Sequence, residues 1–419
     1  MFTLKGRFSM KKLKLGFIGL GQRGKDWVSF INSRDDAEVI FMCDIEDRKI
    51  EQAKERLEKE GRAIPKVTKD YKDILADPEV EAVMIASAWE SHAQIAIDAM
   101  RAGKATAMEV GGAYSVDECF RLVRAYEETG TFFMMMENCC YGRRELMLLD
   151  MVNKGMFGDV VYCEGGYCHD LRNEVARGNE IGHYRLRNYL NRNCDNYPTH
   201  QLLPICKILG VNDGNRMVSL VSVASCAKGL REYVDTTGIG KDDVVGDIMQ
   251  GDVVSTIIKC AHGETITLTL DTTLPRFYSR NFAVHGTKAY YNENSNAFFF
   301  DNNEEHHKNE WNAKALMGNA DSYEGEHDHQ IWKDVVAKGL TGGHGGIDGI
   351  VMTAFIECVQ NGWESPIDVY DAAAVMCISA LSEESIATGH AVGIPDFTNG
   401  MWLCRKHEEE HYYTLRKKK

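Results

Sequence analysis

The sequence predicts an α/β chain with two domains. A doubly wound parallel sheet comes first, followed by an α+β domain with a large open, mostly antiparallel sheet. Three observations predict it. Strand and helix signals alternate from Lys14 to about Glu137. From Val160 to His285 strand signals dominate, with alternating apolar positions and many β-branched residues. The chain, at 419 residues, is too long for one ordinary core. The expected boundaries are 10–138 for the first domain, 139–400 for the second, and a C-terminal extension at 401–419.

Leu15–Ile18 and Val39–Cys43 are short apolar runs and read as strands. Arg48–Gly61 places Ile50, Ala53 and Leu57 among charges at helical spacing. Ala82–Ala86 reads as a buried strand, and His92–Ala102 as a helix closed by Gly103. Ala105–Val110 is another strand. Val116–Thr129 is a helix capped by Ser115 and stopped by Gly130, and Phe132–Met136 is the last strand of the series. Strand, helix, strand, repeated, is the pattern of a parallel sheet with crossover helices.

After Tyr141 the pattern changes. Arg143–Asn153 reads as a helix stopped by Gly155, and Val160–Gly166 opens the strand-rich region. Val218–Cys226, Asp252–Cys260, Thr265–Thr273 and Asn281–His285 continue it. Asp301–Asn312 is polar and reads as an exposed loop or hairpin; no metal site is expected at its His306 and His307. Asp371–Thr388 is an alanine-rich helix. No internal repeat and no long disordered linker interrupts the chain.

The first strand ends in Gly19-Leu20-Gly21-Gln22-Arg23-Gly24, and the second ends in Asp44. A G-x-G-x-x-G between strand and helix, with an acid about twenty residues on, is the dinucleotide-binding fingerprint of a Rossmann domain. The first glycine permits the tight turn, the second lets the backbone approach a pyrophosphate, and the third lets the helix pack closely. The helix start, with Gln22 and Arg23, turns unpaired N–H groups toward the phosphates. Asp44 accepts from ribose hydroxyls and repels a 2′-phosphate, so NAD is expected rather than NADP.

Bulk properties remove other classes. Formal charge is 48 − 62 = −14, which speaks against nucleic acid as a partner. Thirteen cysteines show no C-x-x-C and no zinc-like Cys/His array. Reduced, mostly buried thiols and a cytoplasmic setting are expected. No apolar stretch is long enough to span a membrane. Residues 1–9 read as an upstream extension with Met10 as an alternative start, and Arg416–Lys419 as a solvated basic end.

The segment Ser91-His92-Ala93-Gln94-Ile95-Ala96-Ile97-Asp98-Ala99-Met100-Arg101-Ala102-Gly103-Lys104 resembles the stretch after the fourth strand in the Gfo/Idh/MocA oxidoreductases. The resemblance runs from about Lys12 to Phe397, where Gly393-Ile394-Pro395-Asp396-Phe397 closes it. It implies an NAD(P) Rossmann domain joined to a second domain on an open sheet. Most of that family carries Glu-Lys-Pro after the fifth strand, where the lysine helps polarise the substrate hydroxyl. Here the residues are Glu109-Val110-Gly111, which speaks against a simple dehydrogenase using that lysine. Three further segments narrow the resemblance to glycoside hydrolase family 109. They are Met136-Glu137-Asn138-Cys139-Cys140-Tyr141-Gly142-Arg143-Arg144-Glu145, Asn196-Tyr197-Pro198-Thr199-His200 and Gly343-His344-Gly345-Gly346-Ile347-Asp348.

That resemblance implies an NAD-dependent glycosidase of the α-N-acetylgalactosaminidase kind. The sugar is oxidised at carbon 3, eliminated across carbons 2 and 1, hydrated and reduced again, with NAD recycled. Such a route needs no pair of carboxylates flanking the bond. The competing expectations are an ordinary NAD-dependent sugar or polyol dehydrogenase, and a cofactor-binding sensor without turnover.

His200 is the first candidate for proton transfer, since imidazole titrates near neutrality; a satisfied core histidine is the alternative. Tyr197, one helical turn earlier, is a second acid/base candidate or a packed aromatic. Tyr167, at the end of a strand, lines the sugar pocket, serves as the base, or simply packs. Arg185 is expected to donate to sugar oxygens or to sit in a surface ion pair. His92, Glu109 and Asn138 are assigned with the cofactor, and Glu137, Tyr278 and His344 with the substrate. His344 lies between glycines, so a plain turn competes with a ligand role there. No serine-nucleophile elbow is present. The expected partners are a small-molecule or glycan substrate and further copies of the chain in a homo-oligomer, with no membrane.

Overall fold

A computed structural model describes residues 11–339 and 343–418. The expected extension at residues 1–9, Met10 and Lys419 of the basic end lie outside the described residues. The first sheet has six strands: β1 (Leu13–Ile18), β2 (Ala37–Cys43), β3 (Lys66–Thr68), β4 (Ala82–Ile85), β5 (Ala105–Met108) and β6 (Phe133–Met135). Their order is β3-β2-β1-β4-β5-β6, with parallel pairing of β1 to β2 and β4, of β2 to β3 and of β4 to β5. Strand order reverses between β1 and β4, the place where ligands bind in such sheets. Leu15, Phe17 and all of β4 are buried, because helices cover both faces of a parallel sheet. The sequence pattern does not show β3: three residues, largely exposed, become a strand only by pairing with β2.

The second sheet has eight strands: β7 (Val160–Cys168), β8 (Met217–Ala224), β9 (Val253–Cys260), β10 (Thr265–Asp271), β11 (Ala283–Gly286), β12 (Ala289–Asn292), β13 (Ala297–Phe300) and β14 (Val392–Gly393). Their order is β13-β12-β11-β7-β10-β9-β8-β14. Only β7 and β10 run parallel among its paired neighbours, so the sheet is mixed and mostly antiparallel. In β9 the buried Val254, Thr256, Ile258 and Cys260 alternate with the exposed Ser255, Ile257 and Lys259. Period-two alternation of this kind buries one face and leaves the other open.

The helices Thr199–Leu209 and Val369–Thr388 pack on β7 and β8 respectively. A side chain at Gly165 in β7 would stand 2.7 Å from Gln201 Cγ and 2.9 Å from Ile205 Cδ1. The bare glycine therefore lets the helix that begins at Thr199 lie directly on the strand that carries Tyr167. The alanine-rich helix starts two residues before its expected position, because Asp368 and Asp371 form a capping box at its N-terminus.

The chain forms two compact units that cut across the expected boundaries. One comprises residues up to Glu109, Arg124–Met134 and Met352–Ser365; the other comprises Val110–Val123, Met135–Val351 and Pro366–Lys419. Late residues return to the first unit: Arg34 Nη1 donates to Thr353 Oγ1 at 2.9 Å, and Gln360 Nε2 to the Asp36 carbonyl at 3.0 Å. A local reading along the chain cannot see such a return. Residues 401–418 make contacts with the second unit. Tyr413 and Leu415 are buried, and Arg405 pairs with Asp368. The basic end is tied down as well, since Asn153 bonds the carbonyl of Arg416 and the N–H of Lys418.

Residues 301–312 are largely exposed, as expected, but hold a short helix rather than only a loop or hairpin. Asn303 caps a short helix, Glu304–Lys308, and the buried His306 accepts the Phe300 N–H through Nδ1 at 2.8 Å. All thirteen cysteines are free, and all but Cys226 and Cys404 are buried. No described helix is long and apolar enough to cross a membrane.

Candidate active site

In the first unit the glycine loop is built as its spacing requires. Gly19 has φ +98°, and a Cβ there would lie 2.5 Å from the Ala86 carbonyl. A Cβ on Gly24 would lie 2.0 Å from the Gly19 oxygen, so only glycine lets the helix Gln22–Asn32 start this close to the turn. Gly21 is the N-cap of that helix. Gln22 reaches along the helix to Asp26, Nε2 to Oδ1 at 3.2 Å. Asp44, just past β2, accepts from the Leu20 N–H at 2.7 Å and the Glu46 N–H at 2.9 Å. Its carboxylate is thereby locked beside the loop.

Glu109, just past β5, accepts from Arg23 Nε at 3.0 Å and from Trp27 Nε1 at 2.6 Å. Arg23 also stacks 4.4 Å over the Trp27 ring. His92 lies in the first helical turn after β4, with Nε2 2.9 Å from the Ser87 carbonyl. Burial pushes its pKa down, so it is a neutral imidazole. Asp44, Ser87 and Glu109 thus all follow the carboxyl ends of parallel strands. Val110, in place of the lysine common in the resembling family, is apolar and buried.

The second unit gathers the proposed acid/base residues. Glu137 is fully buried and caps the short turn Asn138–Tyr141 by accepting the Cys139 N–H. Its Oε1 stands 2.8 Å from His200 Nδ1, and His200 Nε2 stands 3.4 Å from the Tyr197 hydroxyl. Burial opposes a charge on His200, but the Cys139 sulfur and the Glu137 carboxylate outweigh it and raise its pKa well above the usual imidazole value. Burial likewise opposes the Glu137 charge, and His200 overcomes it, holding that carboxyl below its ordinary range. The pair is an imidazolium with its carboxylate.

Tyr167 lies across from them. Its ring centroid is 4.6 Å from Tyr197 and 5.4 Å from His200, and its hydroxyl is 3.0 Å from His169 Nδ1. Burial, then the Arg185 charge, lower the pKa of His169, leaving a neutral imidazole. Burial and Tyr167 raise that of Tyr197 well above the phenol value. Tyr278, half exposed, closes the aromatic group against Tyr167 and His169. Arg185 is buried; it pairs with Glu174 and sits 5.3 Å from the Tyr197 ring centre.

Asn138 donates to Asp348 Oδ1 at 2.7 Å, and Asp348 Oδ2 is 2.8 Å from His344 Nδ1. His344 is largely exposed, at φ +51°, in the left-handed region where a non-glycine residue is uncommon. Consecutive residues, Glu137 and Asn138, therefore position two imidazoles, the second through Asp348.

Sequence reasoning passed over His169, Glu174 and Cys139. His169 was readable, because residues two apart along an extended strand share a face and Tyr167 had been singled out. Glu174 and Cys139 carry no such signal and enter only by tertiary contact. Glu137, Cys139 and His200 form the one group among the described residues whose donor atoms converge as metal ligands would, all within 4.8 Å of one another.

Residues 13–137 match a family model described as "Oxidoreductase family, NAD-binding Rossmann fold". Residues 141–404 match one described as "Glycosyl hydrolase 109, C-terminal domain". The chain is 35% identical to an α-N-acetylgalactosaminidase of Tannerella forsythia, over 94% of this chain and 88% of that one. It is 33% identical to an α-N-acetylgalactosaminidase of Shewanella oneidensis, over 94% and 86%. Among solved structures it resembles levoglucosan dehydrogenase in complex with NADH and levoglucosan, with TM-score 0.65, 19% identity, and coverage of 92% and 100%. It is equally close to myo-inositol 2-dehydrogenase from Lactobacillus plantarum, with TM-score 0.65, 15% identity, and coverage of 92% and 100%. The solved structures share the fold. The loop, Asp44 and the strand-end groups fit NAD, the cofactor of this domain family.

Proposed function

The chain belongs to glycosyl hydrolase family 109, and from that premise we propose that it is an NAD-dependent glycosidase of the α-N-acetylgalactosaminidase kind. The observation that carries the mechanism is the pair of imidazoles around Tyr167, one on a carboxylate and one on a phenol. Groups whose surroundings push their protonation apart are matched to acid and base work.

NAD, when bound, supplies a reversible hydride acceptor for carbon 3 of the sugar. A ketone at carbon 3 acidifies the hydrogen on carbon 2. Tyr167, with its proton directed to the neutral His169, accepts that hydrogen as a proton. The bond from carbon 1 to the aglycone oxygen breaks, and His200, charged and held by Glu137, gives that oxygen a proton with Tyr197 beside it. Water then adds its oxygen to carbon 1 and gives up a proton that recharges the now neutral His200, while carbon 2 regains a proton from the Tyr167–His169 pair. The carbon 3 ketone finally takes back the hydride, and its oxygen takes back the proton its hydroxyl released to solvent. Burial, reinforced by the Arg185 charge, disfavours a proton on His169. Glu109, with Arg23 and Trp27, positions the nicotinamide ribose side of the cofactor, and Asp44 the adenosine ribose. Tyr278 offers an aromatic face to the sugar, and His344 a further polar contact.

The test is turnover of aryl glycosides in deuterated water, followed by NMR of the sugar. The expected result is aglycone release over many turnovers, deuterium at carbon 2, and no accumulating NADH. NADH formed in step with substrate and without aglycone release would show a dehydrogenase and overturn the proposal. No release and no NADH across a panel of N-acetylhexosaminides and hexosides would overturn it too.

A further inference from the structure

We propose that Glu137, Cys139 and His200 are a binding site for a thiophilic divalent cation, zinc in the first instance, and that the loaded state is the inactive state of the site. The three donor atoms are a carboxylate oxygen, a sulfur and an imidazole nitrogen, all within 4.8 Å of one another. Tetrahedral zinc with bonds of about 2.0–2.3 Å would set such atoms roughly 3.3–3.6 Å apart. The cluster therefore needs to close by at most about 1.2–1.5 Å at its widest edge.

The frame supports that contraction. Glu137 and Cys139 sit on one tight turn and are tied to each other, since Glu137 Oε1 accepts the Cys139 N–H at 3.1 Å. His200 approaches from the start of a separate helix, with Nδ1 already 2.8 Å from Glu137.

A second observation is independent of the cluster's spacing. Glu137 is fully buried, and the Thr199 hydroxyl acts on its carboxylate beside His200 and the Cys139 N–H. A buried carboxylate is costly to keep charged, and a cation offsets that cost. Sulfur with imidazole and a single carboxylate selects zinc, cobalt or cadmium over magnesium or calcium, which take sets of oxygen ligands. Three protein ligands leave the fourth position to water or a sugar hydroxyl.

Binding takes a His200 ring nitrogen and the Cys139 sulfur as deprotonated ligands. It breaks the His200–Glu137 hydrogen bond on which proton delivery depends. The inhibitory half rests on the glycosidase reading; the binding half does not.

The test uses full-length protein, reduced and chelator-treated, carrying Cys226→Ser and Cys404→Ser to remove the two exposed thiols. One equivalent of zinc should survive desalting, and cobalt should give a tetrahedral spectrum with a thiolate charge-transfer band. Cys139→Ser should lose that band and weaken zinc binding by at least ~100-fold, since even a residue that only hydrogen-bonds a ligand is worth roughly 10–100-fold. NAD binding and the unfolding midpoint report whether the variant is folded. Absence of retained zinc, or of the thiolate band in the parent, overturns the site whatever the variant does. Zinc retained equally by Cys139→Ser overturns it as well. Aryl glycoside hydrolysis should fall in step with zinc occupancy and recover with chelator. Full activity at full occupancy overturns the inactive-state half. A protein that binds zinc through Cys139 yet hydrolyses no glycoside leaves the site standing and removes the glycosidase reading.

Discussion

The glycine turn at Gly19–Gly24 and the imidazole group around His200 solve recognition by opposite means. The turn works with backbone: bare Cα atoms, a helix start, and one carboxylate pinned by two N–H groups. All of it lies within about thirty residues of sequence. The imidazole group works with side chains from β7, from the turn after β6, and from the helices Arg185–Asn191 and Thr199–Leu209. Glu137 and His200 in particular stabilise each other's charge. At Gly19 and Gly24 the first region has no room for an added atom, and the second is built from side chains that touch one another.

The largest test of that contrast is His200→Ala. Turnover should fall about 10²–10⁴-fold, the usual worth of a positioned acid or base, while NAD affinity is retained. Quenching of tryptophan fluorescence by NAD, measured beside kcat, checks it, and near-wild-type rates would remove His200 from the chemistry. Glu137→Gln should show a smaller loss with the same retained affinity, because only the partner of the acid is changed.

Gly24→Ala should do the reverse. Its methyl group would lie 2.0 Å from the Gly19 oxygen, so the turn must open. NAD affinity should weaken about 10-fold, and stability should fall by roughly 1–3 kcal/mol, as overpacking does. Calorimetry and urea melts read both. Undiminished NAD binding would mean that the close approach is not what holds the cofactor.

The smallest effect is a matter of pH. Asp195 lies in the segment leading to Tyr197, and burial raises its carboxyl to about 7. The folded state thus holds this proton more tightly than the unfolded chain. The stability it contributes is complete below about pH 4 and is lost as pH rises through about 7. Asp195→Asn cannot ionise, so its unfolding midpoint should gain on wild type by a few degrees between about pH 5 and pH 8. Melting curves in parallel buffers decide it, and a constant difference across that range would rule it out.

Both regions were visible in the sequence to different depths. Gly19, Gly21, Gly24 and Asp44 stood out because a backbone-built site must be written in glycine and in fixed spacing. Tyr167, Tyr197 and His200 stood out through chemistry and a family resemblance, and the structure places their rings within 6 Å of one another. His169 was within reach of a period-two reading. The sequence alone thus determined the two kinds of sheet, the cofactor loop and the residue types available for proton transfer, since local periodicity and turn chemistry act over a few residues. Tertiary structure alone decided that Met352–Ser365 returns to the first unit, that Cys139 and Glu137 together raise the pKa of His200, and that burial, with Arg185 beside it, lowers that of His169. Those outcomes depend on which groups meet in a low-dielectric interior, and residues more than sixty positions apart, such as Glu137 and His200, meet only when the chain is folded.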